Sequence, residues 1–284
     1  MTEEKLEAQA KLDAEASQRQ ENFLSPWMEK YALHFRQSNK EWYDYARELN
    51  RVGLAIWTAT EDVVVERSTF DPLCIAVRLL LRALCDFEAS VILAERGIVD
   101  QADMLTRSIY EAGFWMGFLS RNGDNAAEAM RQDSLVSILA ALKFERKLAV
   151  LQQGEDAEIV REIDTAVTSR EKGKPQNISE LVFRSGYEDY YPSYKELSSS
   201  VAHTSLHSLH SFMKDNGNGT FDGHIIGPNE DRISPSLSNA CLALCLNLRS
   251  YSEIVGGSRF DDQLNEMLLH WDSIPKSWAP KVGG

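Results

Sequence analysis

The chain has 284 residues, of which 43% are hydrophobic and 26% are charged, the balance of an ordinary globular protein with a substantial core. Its formal net charge of −13 repels nucleic acid and anionic membranes, and no run of Lys and Arg makes a local basic patch. The N-terminus is acidic and lacks a signal-peptide core, and no apolar stretch is long enough to cross a bilayer. The composition therefore predicts a cytoplasmic protein that binds no membrane, and it disfavours an RNA partner.

The first predicted element is a charged helical arm, residues 1–24, in which acidic residues outnumber basic ones. Such an arm is typical of a solvated helix or of a contact between subunits. The main domain is predicted to begin with a helix at Pro26. Ser38 and Glu41 match the capping-box pattern, which predicts that the helix restarts there and runs to about Glu66.

Two longer helices are predicted next. The pair Asp71–Pro72 is a typical helix start, and apolar residues follow at helical spacing until the helix ends before Gly97. A second helix is predicted to begin at Asp100 or Gln101 and to end at Arg121–Gly123. Because only a few residues join the two helices, we expect them to pack as an antiparallel hairpin.

The rest of the chain is also predicted to be mainly helical. The predicted helices cover residues 125–153, 155–171 and 193–213, followed by a helix from Ser234 and a last helix over 258–271. A surface loop is expected at Gly173–Pro175. Ser193 and Glu196 form a second capping-box pattern at the start of the helix over 193–213.

The longest stretch without a helical pattern covers residues 214–234. A loop of this length is usually functional or disordered, but its Asn-Gly and Asp-Gly pairs also allow a small β-hairpin. Taken together, the patterns predict an all-α fold. We expect one bundle of about seven to nine helices over residues 25–273, with a coil at 274–284.

Several residues on these helices have side chains that pack or react. Four cysteines at 74, 85, 241 and 245 lie in apolar helical stretches without a CxxC motif, which predicts buried free thiols, with a redox pair or a metal site as alternatives. Tyr187, Tyr190 and Tyr191 are expected either to pack in the core or to line the mouth of a pocket.

Three histidines in the helix predicted over 193–213 form the most prominent candidate site. At about 100° per residue, His203, His207 and His210 lie within roughly 60° of each other, on a face that also carries Glu196 and Ser200. A His pair four residues apart can bind a metal, but the HExxH motif is absent. Three interpretations stay open: hydrogen-bonded packing across the bundle, a functional histidine without metal, and a metal site.

A second candidate group consists of charged residues on apolar helices. Arg107 and Glu111 lie four residues apart, and Arg82 and Asp86 on the preceding helix have the same spacing. Buried charges need partners because their desolvation costs several kcal/mol per ion. We therefore expect a network that joins Arg82, Arg107 and Glu111 to His203. Such a network either fixes the register of the helices or forms a binding or catalytic site; scattered surface pairs are the third alternative.

Two short motifs carry a resemblance to a known family. They are R-S-x-x-E (Arg107, Ser108, Glu111) and Y-x-x-L-S-x-x-x-x-H (Tyr194, Leu197, Ser198, His203). In this respect the chain resembles, over residues 71–213, a family of uncharacterised bacterial helical domains. Those domains are similar to the HEPN class of helical bundles, found in RNases, toxins and phage-defence proteins.

The HEPN class carries R-x(4–6)-H on one helix, with Arg and His together at a dimer interface. Here the positions five to seven residues before His203 are Ser198, Leu197 and Glu196. Arg107 would therefore have to replace the missing arginine from another helix.

Three hypotheses for function follow. The first is a module that binds a protein partner or a small ligand, in bacterial stress or phage defence. Its binding residues would be Arg82, Tyr194, Ser200, His207 and His210. No phosphate-binding loop, dinucleotide-binding motif or GxSxG elbow is present, and no cofactor is expected.

The second hypothesis is a HEPN-like, metal-independent endoribonuclease that acts as a homodimer. In it, His203 is the acid/base, Arg107 stabilises the developing charge, and Glu111 completes the site. The third is a metal-dependent hydrolase that uses His203 and His207.

Overall fold

The computed structural model of the protein describes residues 22–170, 172–202, 206–256 and 258–276. This part of the chain is all-α apart from one small antiparallel sheet, so the predicted fold class is confirmed. The predicted arm falls outside the described residues except for a 3-10 turn at Asn22–Leu24, and so does most of the predicted C-terminal coil. Among the described helices, none combines the length and apolar character needed to span a bilayer.

The elements follow in chain order. The helices are α1 Met28–Ser38, α2 Lys40–Thr58, α3 Pro72–Glu95, α4 Val99–Gln153, α5 Glu158–Thr168, α6 Ile178–Ser185, α7 Tyr191–Leu197, α8 Leu206–Leu209, α9 Ile233–Ile254 and α10 Ser258–Ser273. The two strands are β1 Met213–Asp215 and β2 Phe221–His224. The core lies between α2, α3, α4 and α9, with Leu49, Leu80, Phe114 and Leu244 fully buried.

Helices α3 and α4 form the predicted hairpin. The Asp71 carboxylate accepts a hydrogen bond from the Leu73 backbone nitrogen at 2.9 Å, and Pro72 occupies the first turn, as the sequence predicted. Ser108, early in α4, donates to Asp86, late in α3, whereas residues further along α4 lie near the start of α3. The two helices therefore run antiparallel.

Gly123 changes the course of α4. Gly123 has φ 46° and ψ −118°, a conformation that few residues other than glycine adopt, so α4 consists of two helical segments that meet at a kink where the sequence predicted one helix to end and the next to begin. Beyond it the helix continues to Gln153. Its last turns pack against α5 through a small separate cluster of Ala149, Val160 and Ile163.

Both predicted capping boxes are wrong. The predicted restart of the helix is confirmed, because α2 begins at Lys40. Ser38, however, is the last residue of α1 and does not cap α2, and the side chain of Asn39 between the two helices donates back to the Phe35 carbonyl at 3.0 Å. Helix α2 then stops at Thr58 and is followed by a 3-10 turn at Glu61–Val64, short of the predicted end at Glu66.

In the second case Ser193 lies inside α7. That helix already begins at Tyr191, because Pro192, whose φ is fixed near the helical value, occupies its first turn.

The helix predicted over 193–213 is also interrupted. Helix α7 ends at Leu197, a π-helical turn covers Ser198–Ala202, and after residues 203–205 the chain forms α8 and a 3-10 turn at His210–Phe212. The hydroxyls of Ser199 and Ser200 both donate to the Glu196 carbonyl, at 3.0 and 2.7 Å, and so compete with the regular backbone ladder. A uniform rotation of 100° per residue therefore does not hold along this segment.

The hairpin alternative for residues 214–234 is confirmed. Met213 pairs with His224 and Lys214 with Gly223 in the β1–β2 sheet. Cys74, Cys241 and Cys245 are buried free thiols, as predicted, whereas Cys85 is exposed. That part of the cysteine prediction is wrong because Cys85 lies on the outer side of α3.

Candidate functional site

Arg107, Glu111 and Tyr194 form a closed polar triangle between α4 and α7. Arg107 and Glu111 lie one turn apart on α4, and the Arg107 Nη2–Glu111 Oε1 distance is 2.7 Å. The Tyr194 hydroxyl donates to the same Glu111 oxygen at 2.8 Å and accepts from Arg107 Nη2 at 3.2 Å. Each of the three groups is thus bonded to the other two.

Further contacts fix Tyr194 in place. Its side chain is only 3% exposed, and its ring meets the Phe114 ring edge-on at 5.5 Å. Arg107 Nε donates to the Ser198 hydroxyl at 3.0 Å, which ties the π-helical turn to α4 as well. Burial raises the pKa of Tyr194, so its hydroxyl keeps its proton at neutral pH and acts as the donor to Glu111.

Arg82 belongs to a different group of side chains. Its Nη2 donates to the Ser108 hydroxyl at 3.2 Å, and Ser108 donates to Asp86 Oδ2 at 2.7 Å. The Arg82 side chain is 67% exposed, whereas Asp86 is largely buried. Ser108 and Arg107 are neighbours in sequence but face α3 and α7 respectively. The single network predicted from the sequence is therefore two networks on two sides of α4.

The histidine predictions fall mostly outside the described residues. His203 is not described, and of His207 only the backbone in α8 is described. His210 lies exposed in a 3-10 turn, and the Ser200 hydroxyl bonds within its own helical turn. In the part of the chain that the structure covers, no three His, Cys, Asp or Glu side chains lie close enough together to hold a metal ion.

A comparison with known protein families shows which family the chain belongs to. A family of unknown function, DUF5677, matches residues 73–221, just over half of the chain. The chain belongs to DUF5677. No curated protein and no solved structure matches it. The predicted membership in a family of unknown function is confirmed, while the likeness to HEPN bundles stays a prediction.

The DUF5677 segment, residues 73–221, contains both polar networks. It begins in the first turn of α3 and ends at Phe221, the first residue of β2. Arg107, Glu111, Tyr194 and Ser198 all lie inside it. The rest of β2, the connection to α9 and α9 itself lie outside it.

A buried acid network at the edge of the DUF5677 segment was missed in the sequence. Asp103 on α4 is 4% exposed and accepts hydrogen bonds from the Ser236 hydroxyl at 2.6 Å and from Arg232 Nη2 at 2.5 Å. Arg232 also pairs with Asp100. Burial raises the pKa of Asp103 to about 6, against the opposing effects of Ser236 and Arg232. The signal available in the sequence was the pair of acidic residues Asp100 and Asp103, three residues apart at the start of a predicted helix.

An exposed apolar surface around the β-hairpin was also missed. We call it the hairpin surface; it consists of Leu206, Leu209, Phe212, Met213, Phe221, Ile225 and Ile226. Leu206 is 83% exposed and Ile226 is 70% exposed. The Ile225 backbone nitrogen donates to the Phe212 carbonyl at 3.0 Å, so the two halves of the surface are adjacent. The signal in the sequence was the density of large apolar residues at the end of the helix predicted over 193–213 and in the non-helical stretch that follows it.

Proposed function

We propose that this DUF5677 protein is a binding module rather than an enzyme, and that the hairpin surface binds a protein partner. The observation that supports it is the concentration of exposed large apolar side chains within residues 206–226. Single apolar residues on a surface are ordinary, whereas clusters of them mark interaction sites. The acidic net charge disfavours an anionic membrane as the alternative occupant.

The size of the hairpin supports the same proposal. Its strands have three and four residues, and within the described part of the chain the sheet contains only these two strands. An isolated two-stranded hairpin is at best marginally stable in water and gains stability when an apolar face is covered. A partner that covers Leu206 and Ile226 would stabilise the hairpin, and its backbone would also be able to pair with the exposed edges of the two strands.

The Arg107 network favours a structural role over catalysis. Glu111 Oε1 already accepts from both Arg107 and Tyr194, and Arg107 also donates to Ser198. A catalytic arginine or carboxylate would have to break these bonds to reach a substrate. The network instead fixes α7, and with it the start of the segment that carries the hairpin surface, against α4.

The proposal can be tested by site-specific photo-crosslinking in the cells that produce the protein. Benzoyl-phenylalanine is placed at Leu206 or Ile226 and, as a matched control, at Leu269, an equally exposed leucine on α10. We expect one discrete protein adduct from positions 206 and 226 and none from 269. An adduct of twice the chain mass would identify the partner as a second copy, in line with the predicted homodimer. Equal labelling at all three positions, or none at 206 and 226, would contradict the proposal.

The ribonuclease and metal-hydrolase alternatives stay predictions that rest on His203 and His207. RNA cleavage by the purified protein, with and without EDTA and beside His203→Ala, separates them. We expect no cleavage in any condition. Cleavage that resists EDTA and is lost in the variant would replace our proposal with the ribonuclease, and cleavage lost with EDTA would replace it with the metal enzyme. A role of the binding module in bacterial stress or phage defence is part of our proposal.

A further inference from the structure

A cleft lies away from the hairpin surface, between α4, α9 and the connection from α6 to α7. Its volume is about 210 Å³. Tyr187 and Tyr190 line it, which agrees with the alternative that these tyrosines border a pocket. Leu246 is a buried apolar part of its lining, whereas the two arginines of the cleft, Arg121 and Arg249, are exposed at its opening.

Arg121 is placed by a glycine. Gly186 ends α6 in the left-handed conformation with φ +73°, and a Cβ built on it would lie 2.0 Å from Arg121 Cζ. The guanidinium therefore lies directly against the bare backbone of Gly186. Among the described residues, Arg121 has neither an ion pair nor a hydrogen bond with another side chain. Its charge is available to a ligand.

The other charges of the cleft leave an excess of positive charge. Arg249 Nε is 4.0 Å from Glu253 Oε1, the outer limit of an ion pair. Glu253 is the one carboxylate among the described residues that line the cleft, and its other oxygen accepts a 2.6 Å hydrogen bond from Ser120. Two guanidinium groups thus face one carboxylate that is already engaged, in a protein whose overall charge is strongly negative.

The aromatic wall of the cleft is rigid. The Tyr187 hydroxyl shares a hydrogen bond with Ser250 and donates to the Leu246 carbonyl at 3.3 Å, and its ring meets the Tyr190 ring edge-on at 6.0 Å. Gly117 allows this packing, because a Cβ there would lie 2.8 Å from the Tyr187 ring. Burial raises the pKa of Tyr187, so the wall stays neutral.

We propose that this cleft binds a small organic anion: a carboxylate on a flat apolar body about the size of one aromatic ring. The apolar body would lie against Tyr187, Tyr190 and Leu246, and the carboxylate would face Arg121 and Arg249. A cavity of about 150 Å³ accommodates benzene, so the volume here suits a ring with one small charged substituent. Arginine is the side chain best suited to bind a carboxylate with two parallel hydrogen bonds.

The test is a titration of the full-length protein with benzoate, followed by ligand-observed NMR, with benzamide as the neutral analogue of the same shape. We expect saturable benzoate binding and at least ~10-fold weaker binding of benzamide, the ratio that one hydrogen bond between charged groups supplies. Arg121→Gln and Arg249→Gln should each weaken the binding of benzoate by about 10-fold or more.

Two further variants separate local from general effects. In Gly186→Asn the new residue tolerates the left-handed conformation but places a Cβ where the Arg121 guanidinium lies. The variant should therefore weaken the binding of benzoate as Arg121→Gln does. Arg51→Gln, an exposed arginine on α2 away from the cleft, should leave binding unchanged. No saturable binding up to roughly 10 mM, equal binding of benzamide, or benzoate binding retained in both cleft arginine variants would overturn the proposal.

Discussion

Arg232 donates to the buried carboxylate of Asp103 at 2.5 Å, across a long separation in sequence. Asp103 lies in the first turns of α4, and Arg232 lies in the 3-10 turn that leads from the hairpin to α9. The contact therefore fastens the end of the hairpin connection to the central helix of the bundle. It also joins the DUF5677 segment to the part of the chain that follows it.

Asp103 should make stability depend on pH. Its pKa is raised to about 6, so the folded state binds a proton more tightly than the unfolded state, where the pKa is about 4. The contribution of this proton to the free energy of unfolding is fully present below about pH 4 and is lost as the pH rises through 6. Relative to Asp103→Asn, the free energy of unfolding of the wild type should fall by up to about 3 kcal/mol between pH 4 and pH 8. Urea unfolding of both proteins across that range measures it; a difference that does not change with pH would contradict the assignment.

Tyr194→Phe should destabilise the protein by about 1–2 kcal/mol, because the hydroxyl bonds to Glu111 and Arg107 are lost while the ring stays packed. Tyr191→Phe is the matched control: its ring stacks on Tyr194, but no hydrogen bond involves its hydroxyl in the described structure, so the change should stay within about 0.5 kcal/mol. Urea unfolding gives both values.

A double-mutant cycle tests the network itself. Arg107→Ala and Tyr194→Phe should couple by at least ~0.5 kcal/mol, since the two side chains share a hydrogen bond and the same carboxylate oxygen. Additive effects of the two substitutions on the free energy of unfolding would show that the triangle does not act as a unit.

Gly123→Ala should destabilise the protein by about 1–3 kcal/mol because alanine is strained at φ 46° and ψ −118°. Nothing lies within 4 Å of the added Cβ, so the loss would come from the backbone and not from a clash. The sign of the change is decisive. If α4 were straight at this point, alanine would stabilise the helix by about 1 kcal/mol instead.

Cys85 should be the thiol that reacts quickly with a disulfide reagent in the folded protein. It is exposed, whereas Cys74, Cys241 and Cys245 are buried, and burial raises the pKa of Cys245 to about 12. We expect one rapid equivalent per chain, four in denaturant, and no rapid equivalent in Cys85→Ser. More than one rapid equivalent in the folded wild type would show that the core opens around the other thiols.

The sequence predicted the helices well where local chemistry decides. Asp71 and Pro72 start α3 through a side-chain cap and a preset φ, both of which act within one turn. The capping boxes failed because Ser38 and Ser193 match a pattern that is equally compatible with a helix interior or end. The histidine helix failed because Ser199 and Ser200 hydrogen-bond to the local backbone, which a uniform rotation per residue ignores.

By itself, the sequence determined the fold class, the positions of most helices and the residue types available for a site. Apolar spacing and helix-start residues act over a few residues, so they can be read without the fold. The tertiary structure alone decided that Arg107 meets Tyr194, that Arg82 lies in a separate group and that Arg232 reaches Asp103. These pairs are distant along the chain, and only the packing of α3, α7 and α9 around α4 brings them together.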